Sequence, residues 1–106
     1  MGVISANDSN FSELLRLHPQ VIVKFFASWC GTCRLIGPKF ARLSEDPRFA
    51  GIKFLEVDAE YNPEARHTAG VDNLPYFAIF KNGQLIRGEA TGKEEGILSL
   101  LNDLTA

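Results

Sequence analysis

A chain of 106 residues is long enough to bury one core without disulfide or metal staples, which predicts a single domain over residues 1–106. Its 45% hydrophobic and 23% charged residues are those of an ordinary globular protein, and a net charge of −2 offers no footing for nucleic acid or an anionic membrane. No apolar run reaches membrane-spanning length, no signal-peptide pattern opens the chain, and two cysteines are too few for a secreted disulfide scaffold, so the expected compartment is the cytoplasm.

Taken in order, residues 3–6 read as a short first strand. Asn7, Asp8, Ser9 and Asn10 are N-cap candidates for a helix to about His18, with Phe11, Leu14, Leu15 and Leu17 as its apolar positions and Pro19 as its stop. Residues 21–27 are β-branched, aromatic and nearly all apolar, the pattern of a strand covered on both faces. A second helix over about 32–45 places Leu35, Ile36, Phe40 and Leu43 on its apolar side and should kink at Pro38. Asp46-Pro47 ends it, and residues 52–57 form the next strand. Asn62-Pro63-Glu64 starts a helix that Gly70 stops. After Leu74-Pro75, residues 76–81 and 84–87 flank Asn82-Gly83, a strong hairpin signal, and Gly88 suggests a bulge. Thr91-Gly92-Lys93-Glu94 has the form of a capping box for a last helix carrying Ile97, Leu98, Leu101 and Leu104. The order β-α-β-α-β-α-β-β-α predicts an α/β fold: a mixed five-stranded sheet flanked by four helices and ending in an antiparallel hairpin.

The chemistry-bearing stretch is Trp29-Cys30-Gly31-Thr32-Cys33, directly after the buried strand and at the start of the second helix. A cysteine at a helix N-terminus faces unpaired N–H groups and the positive end of the dipole, which favour thiolate. Cys33, one turn on, shares its face and can reach back, so the spacing suits a reversible disulfide. The competing readings are a pair of inert core thiols or half of a zinc site. Zinc needs about four ligands, and only His18 and His67 remain, each near the end of a surface helix. Inert thiols would not require Trp before them, Gly between them and a helix start at the same point. No metal site is expected, and the acidic residues read as solvated faces.

These motifs together resemble the thioredoxin family over essentially the whole chain. The family pattern W-C-G-P-C-K with a proline about a turn later is matched by Trp29-Cys30-Gly31-Thr32-Cys33-Arg34 and Pro38. Leu74-Pro75 before residues 76–80 matches the family's cis-proline and the strand after it, and Phe80-Lys81-Asn82-Gly83 its hairpin. The resemblance implies a thioredoxin fold and a thiol–disulfide oxidoreductase that reduces protein disulfides. Cys30 would attack and Cys33 resolve the mixed disulfide. Trp29, Leu74 and Pro75 would line the groove where a partner's extended chain docks, with Gly92 on its rim, although its spacing from Gly83 is one residue longer than the family's. The resemblance further implies no bound cofactor beyond the redox-active disulfide, reducing equivalents from NADPH through a flavoprotein thioredoxin reductase, disulfide-containing protein substrates, and a monomer. Two rivals stand beside it: a disulfide oxidase or isomerase, and a thioredoxin-fold binding module in which the thiols are secondary.

Three departures from the pattern bear on the site. Thr32 replaces the proline between the cysteines, bringing an N–H and a hydroxyl near the sulfurs. Lys24 stands where the family carries a buried aspartate, and Phe54 falls where the lysine partnering that aspartate is expected. A buried ammonium would stabilise Cys33 as thiolate, and a neutral lysine could act as a base. Glu56 is two residues past Phe54 on the same strand face, so Lys24 and Glu56 are expected to form a reversed-polarity pair; the alternative is that Lys24 snorkels to the surface. Tyr76 replaces a small polar residue and either packs or narrows partner choice.

Overall fold

The computed structural model describes residues 2–106. Its centre is β2 (Gln20–Phe26), which runs parallel to β3 (Lys53–Asp58) and antiparallel to β4 (Tyr76–Lys81). β1 (Val3–Ala6) adds in parallel to β3, and β5 (Gln84–Ala90) adds antiparallel to β4, giving the order β1-β3-β2-β4-β5. The side chains of residues 21–25 are all buried, and they alternate between two cores. Val21, Val23 and Phe25 pack beneath α1 (Phe11–Leu17) and α3 (Pro63–Ala69) with Phe11, Leu15, Ala65 and Ala69. Ile22 packs on the opposite face beneath α2 (Gly31–Ser44) and α4 (Glu94–Thr105) with Ile36, Phe40, Ile97 and Leu101. Helices on both faces account for the nearly unbroken apolar run of β2.

Local chemistry sets the connections. Gly70 ends α3 in the left-handed conformation at φ 70°, its N–H bonded to the Arg66 and His67 carbonyls. Asn82 and Gly83, at φ 53° and 82°, form the hairpin turn that matches the strand twist. The start of α3 is capped from a distance: the Asp8 carboxylate accepts the N–H groups of Glu64 at 3.1 Å and Ala65 at 2.9 Å. Asn62 locks the same corner, accepting the Asp8 N–H at 2.8 Å and donating to the Asp58 carbonyl at 2.9 Å.

Several expectations need correction. Leu17 closes α1 but is 55% exposed, and Leu35 on α2 is 76% exposed, because both fall outside the stripe that meets the sheet. A 3₁₀ turn, Pro47–Phe49, follows α2 where only a helix end was expected; Asp46 caps it and Phe49 reaches the core. β5 continues to Ala90, three residues past its expected end. The sheet irregularity falls at Ile86, between the pairs Ile79–Arg87 and Phe80–Leu85, and not at Gly88. Gly88 pairs with Ala78 and leaves room for the Tyr76 ring, which a Cβ at 88 would strike. The capping box does not form either. Lys93 is the N-cap residue of α4, Thr91 Oγ1 accepts the Lys93 N–H at 3.1 Å, and Glu94 turns instead to Arg42 at 3.6 Å.

Candidate active site

β2 ends at Phe26, and the chain turns through Ala27, Ser28 and Trp29 into α2, with the Cys30 N–H held by the Ala27 carbonyl at 3.1 Å. Cys30 is the N-cap residue of α2, and its Sγ accepts the Cys33 N–H at 3.2 Å. Sulfur thus takes the role that a serine or aspartate oxygen usually fills, facing the free N–H groups of a 14-residue helix with no acidic residue in its first turn. The two cysteines form a disulfide across a Cα–Cα distance of 5.3 Å. Both are largely covered, at 7% and 4% exposure, packed with Ala27, Phe26 and Leu74.

The Leu74–Pro75 peptide is cis, as the resemblance implies. Pro75 is buried, and its carbonyl accepts the Thr91 N–H at 3.2 Å, tying it to the end of β5. Two cavities meet at Leu74. One, about 290 Å³, lies between Trp29 and the Val71-Asp72-Asn73 segment, with Arg66 on its wall. The other, about 210 Å³, is bounded by Thr32, Pro75, Ala90, Thr91 and Gly92. Trp29 stands over the first at 66% exposure, so it is not core filling. Gly92 sits against Thr32: a Cβ there would lie 2.6 Å from Thr32 Cγ2. Gly92 thus lines the same cavity as Thr32, Leu74 and Pro75. Asp72, Asn73 and Thr91 also line the groove; their only sequence signal is adjacency to Leu74 and Gly92. Tyr76 packs against the α1/α3 core, and burial, then the nearby Asp72 charge, raises its phenol above the usual range.

A third cavity, about 250 Å³, lies behind the sulfurs and is lined by Lys24, Phe26, Ala27, Ser28, Cys33, Arg34 and Gly37. Lys24 does not snorkel out; it is 8% exposed, and its Nζ lies 3.3 Å from Glu56 Oε1. Lys24 and Glu56 are direct partners in the β2–β3 register. Phe54 is not the position opposite Lys24: it pairs with Ile22 and packs on Phe40 at 5.1 Å between ring centroids. Ser5 on β1 donates to the other Glu56 oxygen at 3.1 Å. Among the described residues no group of three or more His, Cys, Asp or Glu side chains is placed to hold a metal ion. His67 in α3 is exposed and His18, the C-cap residue of α1, is half-buried; neither lines the cavities beside the cysteines.

A five-stranded mixed sheet between two helical layers, with a disulfide at a helix start opposite a cis-proline, defines a dithiol–disulfide protein of thioredoxin fold. The family model for thioredoxin matches residues 2–103. The thioredoxin of Malassezia sympodialis is 36% identical over 84 residues, covering 79% of each chain. A crystal structure of thioredoxin from that organism superimposes with a TM-score of 0.89 at 26% identity, covering 100% of this chain and 96% of the other. The protein disulfide-isomerase of Oryctolagus cuniculus is 34% identical over 84 residues, which cover 77% of this chain and 16% of that one. The chain belongs to the thioredoxin family and is a thiol–disulfide oxidoreductase acting on protein disulfides.

Proposed function

We propose that this protein works as a reductase of disulfides in other proteins, as one domain and one monomer in the cytoplasm, and that a flavoprotein thioredoxin reductase returns it to the dithiol state with electrons from NADPH. Cys30 is the attacking thiolate, and the placement of its sulfur on the N–H groups at the start of α2 carries this assignment. The Cys30 thiolate attacks one sulfur of the substrate disulfide, and the other substrate sulfur leaves with its electron pair and takes a proton from solvent. Cys33 then attacks Cys30 Sγ, the intramolecular disulfide forms, and the second substrate sulfur leaves as thiolate. Gly31 and Thr32 shape the turn between the cysteines. Trp29, Leu74, Pro75 and Gly92 receive the substrate chain, which lies extended beside Pro75 with its cystine over Cys30. Lys24 and Glu56 support the second step from behind.

The test is covalent trapping. In Cys33→Ser protein, mixed disulfides with substrate proteins accumulate through Cys30, whereas Cys30→Ser protein accumulates none. Equal trapping by the two variants would overturn the assignment of Cys30 as nucleophile. Partner binding that persists in the Cys30→Ser/Cys33→Ser double variant at wild-type strength would favour a binding module instead.

A further inference from the structure

Lys24 is the charged side chain that the fold buries among the described residues, beside only Ser44 and Asn62 as buried polar ones. An ammonium in a core is costly unless it is paired, yet its pairing here is incomplete. Glu56 is 3.3 Å away, longer than a strong charge-assisted hydrogen bond, and shares its carboxylate with Ser5 and with solvent. The rings of Phe26 and Phe40 lie 5.3 Å and 5.7 Å from Nζ and add a weak attraction on the remaining sides. The open side of the ammonium faces the 250 Å³ cavity whose wall includes Cys33. The charged groups lining that cavity are Lys24 from β2 and Arg34 from α2; Glu56 on β3 meets the ammonium, with Asp58 two residues further along the strand, and β1 contributes the Ser5 hydroxyl through Glu56. Apart from these charges its wall is largely apolar, and Cys33 on that wall is buried, so an ionised sulfur there is poorly solvated and responds to a nearby cation.

We propose that Lys24 is the cation that stabilises the Cys33 thiolate in the reduced protein, and that Glu56 holds the same ammonium when the cysteines are joined. The pairing with Glu56 is the one present in this disulfide state. The inference rests on the reading of Cys33 as the resolving thiol. In the resolving step the Cys33 thiolate attacks Cys30 Sγ of the mixed disulfide, the Cys30–Cys33 bond forms, and the bond from Cys30 to the substrate sulfur breaks. The substrate sulfur leaves with the electron pair and takes a proton from solvent. Lys24 stays protonated throughout: it offers charge, not a proton. Once Cys33 is bonded and neutral, Glu56 is the anion within ion-pair distance of the ammonium. The arrangement removes the need for a base at the second cysteine, because that cysteine is already ionised when it attacks.

The decisive experiment titrates Cys33 as the sole thiol in a Cys30→Ser background, by ultraviolet thiolate absorbance and by the pH dependence of its alkylation rate. Lys24→Met fills the same space without charge and is expected to raise the titration midpoint by at least about one pH unit, a tenfold fall in thiolate below the midpoint. Lys24→Arg recovers most of that shift. Glu56→Gln moves the midpoint the opposite way, because it frees the ammonium for sulfur. A midpoint unmoved by both Lys24→Met and Glu56→Gln, or lowered by Lys24→Met, would overturn the proposal. Should Lys24→Met fail to fold, Glu56→Gln decides alone: a downward shift supports the proposal, and none or an upward one refutes it. The readout needs no partner protein, so a failure to trap mixed disulfides would count against the reductase reading and leave this result standing.

Discussion

Gly92 offers the sharpest test of the proposed docking groove. Its backbone does not lie in the left-handed region, so alanine is conformationally allowed there and only space opposes it. The added Cβ would sit 2.6 Å from Thr32 Cγ2, about 1 Å closer than two carbons tolerate. Thr32 is β-branched and stiff at χ1, so relief comes from tilting Thr32 and the chain around it into the 210 Å³ cavity beside Pro75. Overpacking of this kind costs about 1–3 kcal/mol in a core, and at an exposed rim the lower end applies. About 1 kcal/mol charged to docking is roughly a fivefold loss of kcat/KM, carried by KM. The assay compares reduction of a protein disulfide with reduction of a small aromatic disulfide that needs no groove. Gly92→Ala is expected to weaken the first and spare the second, and adding Thr32→Ser, which removes the clashing methyl, should restore activity. Equal losses on both substrates, or no rescue by Thr32→Ser, would refute the steric argument.

Two further predictions concern stability. Asp8→Ala uncaps two N–H groups at the start of α3 and should lower unfolding free energy by about 1–2 kcal/mol in denaturant titration, with Asp8→Asn intermediate; wild-type stability in Asp8→Ala would show the cap to be idle. Burial, reinforced by the Asp72 charge, holds the Tyr76 phenol above its ordinary value near 10. The stability contributed by neutral Tyr76 is therefore complete below that value and is lost as pH rises through the folded-state value. Melting temperature followed into the alkaline range should fall less steeply in Tyr76→Phe than in wild type, and identical slopes would contradict the assignment.

Much of this fold was legible where one local rule acted without competition. The doubly covered β2, the Asn82-Gly83 hairpin and the Pro63 to Gly70 helix each depend on residues adjacent in sequence. The errors arose where tertiary partners decide. Leu35 keeps helical spacing with Ile36 and Phe40, yet points away from the sheet. Thr91 and Glu94 have capping-box spacing, but the helix starts two residues later with Lys93 at its N-cap, which leaves Glu94 in the first helical position. Gly88 looks like a bulge because sequence does not reveal the Tyr76 ring across the strand pair. The cysteines and Pro75 could be singled out because each carries its own local signature; the Lys24–Glu56 pair was also expected, from strand alternation and the neighbouring of two strands some 30 residues apart, but the register that sets them side by side is tertiary.

The proposed role makes the Cys30–Cys33 couple a reductant. It is tested most directly by the equilibrium reduction potential, measured against glutathione redox buffers with Trp29 fluorescence as the signal. A reductase couple should give a value at or below the cytosolic glutathione poise of roughly −220 to −260 mV. The cation at Lys24 favours the reduced form, so Lys24→Met should make the couple more strongly reducing still. A value near that of a dedicated disulfide oxidant, roughly −120 mV, would contradict the reductase reading and give the oxidase or isomerase role the lead.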